Sequence, residues 1–290
     1  IRFSKPQVRM CDFKTNVAVV TSIDDPQVDV YRNIRDADLR GRKHLCMVES
    51  EMVVRRLLST DWNVHSLFLS PQKYDRLAYL IPKHYQVYVA DVTVMSEITG
   101  FHIHRGVLAA VHRPTEDTIR KSISSLIQKF EGKKTISLLL AQGITNVDNI
   151  GALFRNAAAF GVDGLVFDHT CCDPLYRKAI RVSMGHAFAL PWAIATNWID
   201  DLLRLREELG IQLIGCETGD IAIPLWDVAS SEKFGLIMGE EKAGLSQSTI
   251  QICDVIAEIP MTPKVPSINV AVASAVGLYE FLGRHSLDNR

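Results

Sequence analysis

The sequence has no apolar run approaching the roughly 20 residues that span a bilayer. Its opening residues, Ile1-Arg-Phe-Ser-Lys-Pro, lack the apolar core of a signal peptide. No membrane association is therefore expected, and a cytoplasmic protein is. Paired cysteines are missing too. The six present, Cys11, Cys46, Cys171, Cys172, Cys216 and Cys253, show no C-x-x-C spacing, and the one adjacent pair is badly placed for an ordinary disulfide. This usage fits a reducing compartment and speaks against structural zinc or any other metal. Cys216 and Cys253, in or beside apolar runs, read as small packed hydrophobes. No Gly-x-Gly-x-x-Gly follows a strand and no lysine-bearing phosphate loop is present, which sets an ordinary Rossmann-type nucleotide enzyme well below other readings. A fixed-period repeat and low-complexity tracts are also missing.

Net charge is nearly absent, at −1, and by itself argues against a nucleic-acid partner. Its distribution is uneven, however. Residues 1–113 hold 16 Lys and Arg against 12 Asp and Glu, net +4, whereas residues 114–290 hold 16 against 21, net −5. Basic residues concentrate at Arg32, Arg35, Arg40, Arg42 and Lys43. An arm of this kind contacts RNA phosphates; the other reading is a solvated surface interrupted by Asp36 and Asp38.

What is present is enough for a folded protein. At 290 residues and 47% hydrophobic content, the chain fills one large or two medium cores. Val17–Val20 reads as a short strand. Strands at Leu45–Val48, Val64–Leu69, Gln86–Val89 and Gly106–Val111 then alternate with helices at Ser50–Leu58, with Ser50 as N-cap, Tyr74–Leu80 and Asp91–Ile98. That alternation predicts a small α/β/α layer domain within residues 1–113. The pattern breaks at Arg113-Pro-Thr-Glu-Asp-Thr118, and a linker helix, Ile119–Phe130 within 114–133, leads into a second series over 134–290. Its strands are expected near Thr135–Ala141, Gly164–Phe167, Ala187–Ala193, Gln212–Cys216, Phe234–Met238 and Val255–Glu258. Its helices are expected near Ile150–Phe160, Leu175–Ser183, Trp198–Leu209, Gln247–Ile252 and Ile268–Arg284. The result is a larger α/β domain with a parallel sheet, whose ligand belongs beyond the carboxyl ends of the strands.

Three loops in this second series keep polar residues that turns do not require. The first follows the opening strand: Asn149 stands where a helix N-cap belongs, with Arg155 six residues on, and both are expected to project toward the crevice at the strand ends. The second is Gly239-Glu240-Glu241, running on to Gly244-Leu245-Ser246. The third is Ile259-Pro260-Met261, running on to Ser267-Ile268-Asn269-Val-Ala-Val.

In order and spacing these three segments resemble the three motifs of the SpoU/TrmH family of SPOUT RNA methyltransferases, over about residues 135–285. The preceding domain resembles the L30e/L7Ae-like RNA-binding module, on its strand-helix order and on Val48-Glu-Ser-Glu-Met-Val-Val-Arg-Arg-Leu-Leu58. The resemblance implies a catalytic domain tied in a trefoil knot, with the Ile259–Ala273 stretch threaded, an exception to the rule against threaded connections. It implies a homodimer with the final helix at the interface, and methyl transfer from S-adenosylmethionine to a ribose 2′-hydroxyl of structured RNA, ribosomal favoured over transfer. It assigns Asn149, Arg155, Glu241, Ser267 and Asn269 to catalysis, and Gly239, Ile259, Met261 and Ile268 to holding the cofactor, with backbone groups able to read the adenine edge.

Two roles stay open at this point. Arg155 matches the family's base, yet a guanidinium normally keeps its proton, so a clamp on an RNA phosphate is an equal reading. Glu241 is either a direct catalytic part or a brace of its loop. The chain also departs from the family pattern with Pro263, where a glycine is usual, and Ala271, where a serine is usual; Pro266 further stiffens the third loop. These departures motivate the alternative of a catalytically weak RNA-binding protein that retains the fold.

Overall fold

The computed structural model describes residues 16–33, 43–103, 106–229, 231–262, 264–265 and 267–283. The chain divides into two compact units, Ile1–Arg113 and Pro114–Arg290.

In the first unit, strands β1 (Val17–Val19), β2 (Leu45–Glu49), β3 (Val64–Leu69), β4 (Gln86–Val89) and β5 (Val107–His112) form one sheet in the order β1-β4-β3-β5-β2. β1, β4 and β3 run parallel, and β5 is antiparallel to both β3 and β2. Side chains alternate across a strand, and here both faces are covered. Leu45, Met47, Phe68, Tyr88, Leu108 and Ala110 join Tyr31 and helical Met95 and Ile98 in one cluster, while the alternate Cys46, Val48, Leu67 and Leu69 are equally buried. Helices α1 (Glu51–Leu57), α2 (Pro71–Leu77) and α3 (Val92–Thr99) complete the layers. α2 starts three residues before the expected Tyr74, because Pro71 occupies its first turn with a preset φ. Ser50 precedes α1 but makes no side-chain cap; its φ of 93° turns the chain there instead.

The second unit is built on seven parallel strands: β6 (Ile136–Ala141), β7 (Gly164–Asp168), β8 (Trp192–Ala195), β9 (Gln212–Cys216), β10 (Ile223–Pro224), β11 (Lys233–Met238) and β12 (Val255–Glu258). Their order is β10-β12-β9-β11-β6-β7-β8. The interior strand β6 is buried at all six positions, as a strand covered on both faces must be. Leu139 and Ala141 face one core, with α6 (Val147–Phe160), α7 (Arg177–Val182), α8 (His186–Ala189) and α11 (Val270–Leu278). Leu138 and Leu140 face the other, with α5 (Ser122–Phe130), α9 (Trp198–Leu209) and α10 (Gln247–Ile252). Gly151 lets α7 pack closely on α6, since a Cβ there would sit 2.6 Å from that of Val182.

Several boundaries differ from the sequence reading. The helix expected over Ile119–Phe130 is two helices, α4 (Glu116–Arg120) and α5, broken at Lys121. Ile123, Leu126, Ile127 and Phe130 of α5 lie in the second unit's core, so this segment is part of the fold and more than a connector. The strand expected at Ala187–Ala193 begins at Trp192. Before it, Met184 and Gly185 take positive φ and Ser183 Oγ accepts the Gly185 amide at 3.2 Å, which turns the chain into α8. Two-residue β10 carries too little pattern to be read. Among the described residues no helix is long and apolar enough to cross a membrane.

Candidate active site

The carboxyl ends of β9, β11 and β12 open on a cleft of about 260 Å³ lined by Cys216, Met238, Glu258 and the loops that follow them. Its floor is a tight turn. After β11 the chain runs from Gly239 to Gly244 and closes on itself, Glu240 N donating to Gly244 O at 3.2 Å and Gly244 N to Glu240 O at 2.9 Å. Both glycines are required: a Cβ on Gly239 would overlap the Gly244 carbonyl carbon, and Gly244 has φ +67° with the Glu217 carboxylate where its Cβ would be.

Two side chains outside the three motif segments hold this turn. Glu217, just past β9, accepts the Leu245 amide at 2.7 Å and the Thr218 amide at 3.0 Å. Gln142, just past β6, accepts from Ser246 N and Thr249 Oγ1, both at 3.1 Å, and donates to Ser246 Oγ at 3.0 Å. Ser246 in turn N-caps α10. The turn is thus tied to the ends of two neighbouring strands. Sequence reasoning missed both residues; the one local signal was a polar residue at the first position beyond an apolar strand.

Asn149, Glu241 and Asn269 meet beside the cleft. Asn149 is 6% exposed and lies inside α6, not at its cap; Asn146 caps that helix by accepting the Asp148 amide at 2.8 Å. The cap expected at Asn149 is therefore corrected, and its amide is free for other work. Its Nδ2 donates to Glu241 Oε1, and its Oδ1 accepts from Asn269 Nδ2 at 3.1 Å. Asn269 Oδ1 meanwhile accepts the Ala271 amide at 2.9 Å and so caps α11. One residue from each of the three motif segments contributes to this chain of bonds. A buried amide with both ends satisfied has a fixed orientation.

Arg155 is placed elsewhere. Six residues on from Asn149 is about 240° around an α-helix, so the two do not share a face, contrary to the expectation above. Its side chain is exposed, does not line the cleft, and makes no hydrogen bond or ion pair among the described residues. Neighbouring Asn156 ties α6 to α11 through Ala271 O at 2.6 Å and Ser274 Oγ at 3.0 Å. Of the cofactor-holding set, Gly239, Ile259, Met261 and Ile268 all line the cleft, as do Glu241 and Ser267. The cleft also carries Glu240, Lys242 and Glu258.

Thiols near the site are held protonated. Burial, then Glu217, pushes Cys216 up to about 12, and burial, then Asp173 and Glu241, raises Cys172. Both shifts favour the thiol over the thiolate. Among the described residues no His, Cys, Asp and Glu group is arranged to hold a metal ion.

Of the basic arm, Arg35, Arg40 and Arg42 lie outside the described residues, as do Pro263 and Pro266 of the third loop. Arg32 and Lys43 converge on Asp29, at 3.6 and 2.8 Å. Lys43 is the main cause holding the Asp29 carboxyl below its ordinary value. These two cations are partly neutralised within the chain.

The chain is 36% identical over 276 residues to an uncharacterized tRNA/rRNA methyltransferase of Mycobacterium bovis, covering 91% of each. It is 32% identical over 191 residues to the 23S rRNA (guanosine-2′-O-)-methyltransferase RlmB of a Burkholderia species, covering 66% of this chain and 74% of that one. In fold it matches the AdoMet-bound rRNA methyltransferase of Sinorhizobium meliloti with a TM-score of 0.78 at 23% identity, over 93% of this chain and 99% of the other. The sequence model of the SpoU rRNA methylase family matches residues 137–279, which contain all three motif segments. The chain belongs to the SpoU rRNA methylase family.

Proposed function

We propose that the chain transfers a methyl group from S-adenosylmethionine to a ribose 2′-hydroxyl of structured RNA, ribosomal in preference to transfer RNA. The observation that carries this is the bonded chain Glu241–Asn149–Asn269 at the mouth of the strand-end cleft. The relative of known target acts on 23S rRNA, which supports the ribosomal preference.

The cleft suits S-adenosylmethionine. Its volume of about 260 Å³ lies near the lower edge of small-molecule sites, about 300 Å³. Met238, Ile259, Met261, Ile268, Val270 and Ala273 offer an apolar wall, and the backbone of Gly239, Ile259 and Ile268 offers carbonyl and amide groups for the adenine edge. Glu217, Glu240 and Glu258 complement a ligand of net positive charge. When bound, the group supplies an electrophilic methyl on a sulfonium, transferred as its sulfur becomes a neutral thioether. The residues supply positioning. Asn149, held by Glu241 and Asn269, fixes the mouth of the cleft, and Ser267 beside it meets the ribose. Arg155, exposed and unpaired among the described residues, fits the phosphate clamp better than the base, because a solvated guanidinium keeps its proton. The hydroxyl proton then passes to the neighbouring phosphate oxygen or to water.

The first unit presents RNA to the second, in the cytoplasm, with the basic arm Arg32–Lys43 among its contacts. The chain works as a homodimer through its C-terminal helix, where Val272 and Val276 of α11 and Tyr279 just past it leave an apolar stripe 53%, 40% and 48% exposed. The Ile259–Ala273 stretch is threaded as a trefoil knot.

The test is calorimetric titration of the full chain with S-adenosylmethionine, in parent and Asn269→Ala. Micromolar binding by the parent, weakened about tenfold or more in the variant through loss of the α11 cap and the Asn149 bond, supports the assignment. A folded parent that binds none would turn the reading to a non-catalytic RNA-binding protein, consistent with the Ala271 departure.

A further inference from the structure

The outer face of α1 and α2 in the first unit carries an aromatic ring that folding does not explain. Val53, Val54 and Leu57 of α1 and Tyr74 and Leu77 of α2 are buried; on the outer side Arg76 is exposed and Arg55, Arg56 and Lys73 are half-buried. Just past α2, Tyr79 is 71% exposed, the most exposed large apolar side chain among the described residues.

Exposed as it is, the ring is held in place. Arg55 Nη1 donates to its hydroxyl at 2.9 Å, and the guanidinium carbon stands 5.9 Å from the ring centroid. Arg55 is itself anchored: Nε and Nη2 donate to Glu51 Oε1 at 3.1 and 2.9 Å, and Nη2 also reaches Arg76 O at 3.3 Å. Glu51 Oε2 accepts from Lys73 Nζ at 2.6 Å. Four cations, Arg55, Arg56, Lys73 and Arg76, stand against the two carboxylates Glu51 and Asp75, so the face has a net charge of +2. The Arg76 guanidinium is exposed and has no partner among the described residues.

We propose that this face is a landing site for unpaired RNA, with a base stacked on Tyr79 and an adjoining phosphate held by Arg76. The inference rests on the reading of the chain as an RNA enzyme and adds a site apart from the basic arm and the catalytic cleft. A pre-positioned, solvent-facing ring rewards a flat partner with an exposed π-face, which an unpaired base offers and a duplex hides. The cations complement phosphates. An acidic peptide would meet the charges and leave the ring unused.

The test uses the full chain and a short fluorescent oligoadenylate, single-stranded or paired with oligouridylate, with binding followed by anisotropy. The parent is expected to prefer the single strand. Tyr79→Ala should weaken that binding about tenfold or more, in line with the stacking of one base, while Tyr79→Phe, which keeps the ring, stays close to the parent. Arg76→Gln should lower the slope of log affinity against log salt by about 0.7, the value for one phosphate contact to a single strand. Titration of each variant with S-adenosylmethionine checks the fold and reports separately on the catalytic reading. Unchanged binding in Tyr79→Ala, equal affinity for the duplex, competition by polyglutamate as strong as by RNA, or no RNA binding by the parent would each overturn the proposal. Binding through Tyr79 without any methyl transfer would leave this site standing and overturn the enzymatic reading instead.

Discussion

Gly244→Ala is the sharpest perturbation of the cofactor turn. Gly244 has φ +67°, and an added Cβ would overlap the Glu217 carboxylate that accepts the Leu245 amide at 2.7 Å. An alanine in the left-handed region costs about 1–2 kcal/mol. Displacing Glu217 costs a further 1–3 kcal/mol or so, the range for a charge-assisted bond lost. Together, about 2–5 kcal/mol is set against the closed turn, and whatever the turn's own stability does not absorb emerges as weaker S-adenosylmethionine binding, about tenfold or more by titration calorimetry. The cause is separable with Glu217→Ala. In that background the overlap is gone and the Leu245 bond already lost, so adding Gly244→Ala should cost only the backbone term. The two single effects should therefore sum to about 1–3 kcal/mol more than the double variant shows. Additivity within about 0.5 kcal/mol would refute the claim that Glu217 acts through this turn.

Other substitutions probe other parts of the account. Asn149→Asp removes the donor to Glu241 and sets a second carboxylate against it, so methyl transfer at neutral pH should fall about a hundredfold or more; initial rates should recover in part as pH falls and one of the pair takes up a proton. Tyr31 is buried with its hydroxyl 2.8 Å from Ser66 Oγ, and burial raises it above its ordinary value. A raised group stabilises the fold fully below the unfolded tyrosine value, about 10, and less as pH rises past it. Denaturant unfolding should thus show Tyr31→Phe less stable by about 1 kcal/mol near neutral pH and with a shallower alkaline decline. Phe154 sits 5.3 Å from the Phe167 ring and 6.3 Å from Trp192, all inside the second unit; Phe154→Ala should cost about 3–5 kcal/mol in the same assay.

The parallel sheet was legible because its strands are long apolar runs bounded by Gly and polar turns. Leu138-Leu-Leu-Ala141 is buried throughout, and the two cores divide it by alternate residues. The motif residues were legible as a set, but not their geometry. Asn146, Asp148 and Asn149 all suit a helix start, and only the backbone decides that Asn146 caps while Asn149 turns inward. Arg155 was expected to project toward the same strand-end crevice as Asn149, although six residues do not return to the same helix face. Glu217 and Gln142 escaped because their partners, Leu245 and Ser246, are 28 and 104 residues away, a distance no local pattern spans. The strand at Trp192 was displaced for a related reason: Ala187-Phe-Ala-Leu reads as apolar strand, and the turn at Ser183–Gly185 that makes it helical depends on hydrogen bonds to Ser183 Oγ.

The central claim is methyl transfer to a ribose oxygen, and it has a direct chemical signature. The full chain would be incubated with unmodified ribosomal RNA, or transfer RNA in parallel, and S-adenosylmethionine labelled in its methyl group, and the RNA then hydrolysed in alkali. A 2′-O-methyl blocks cleavage at its own nucleotide, so the account predicts label in alkali-resistant dinucleotides from ribosomal RNA, lost in Asn149→Asp and Arg155→Ala. Label released with mononucleotides would mean methylation of a base, and no label from a parent that binds both RNA and S-adenosylmethionine would mean no transfer; either result would contradict the account.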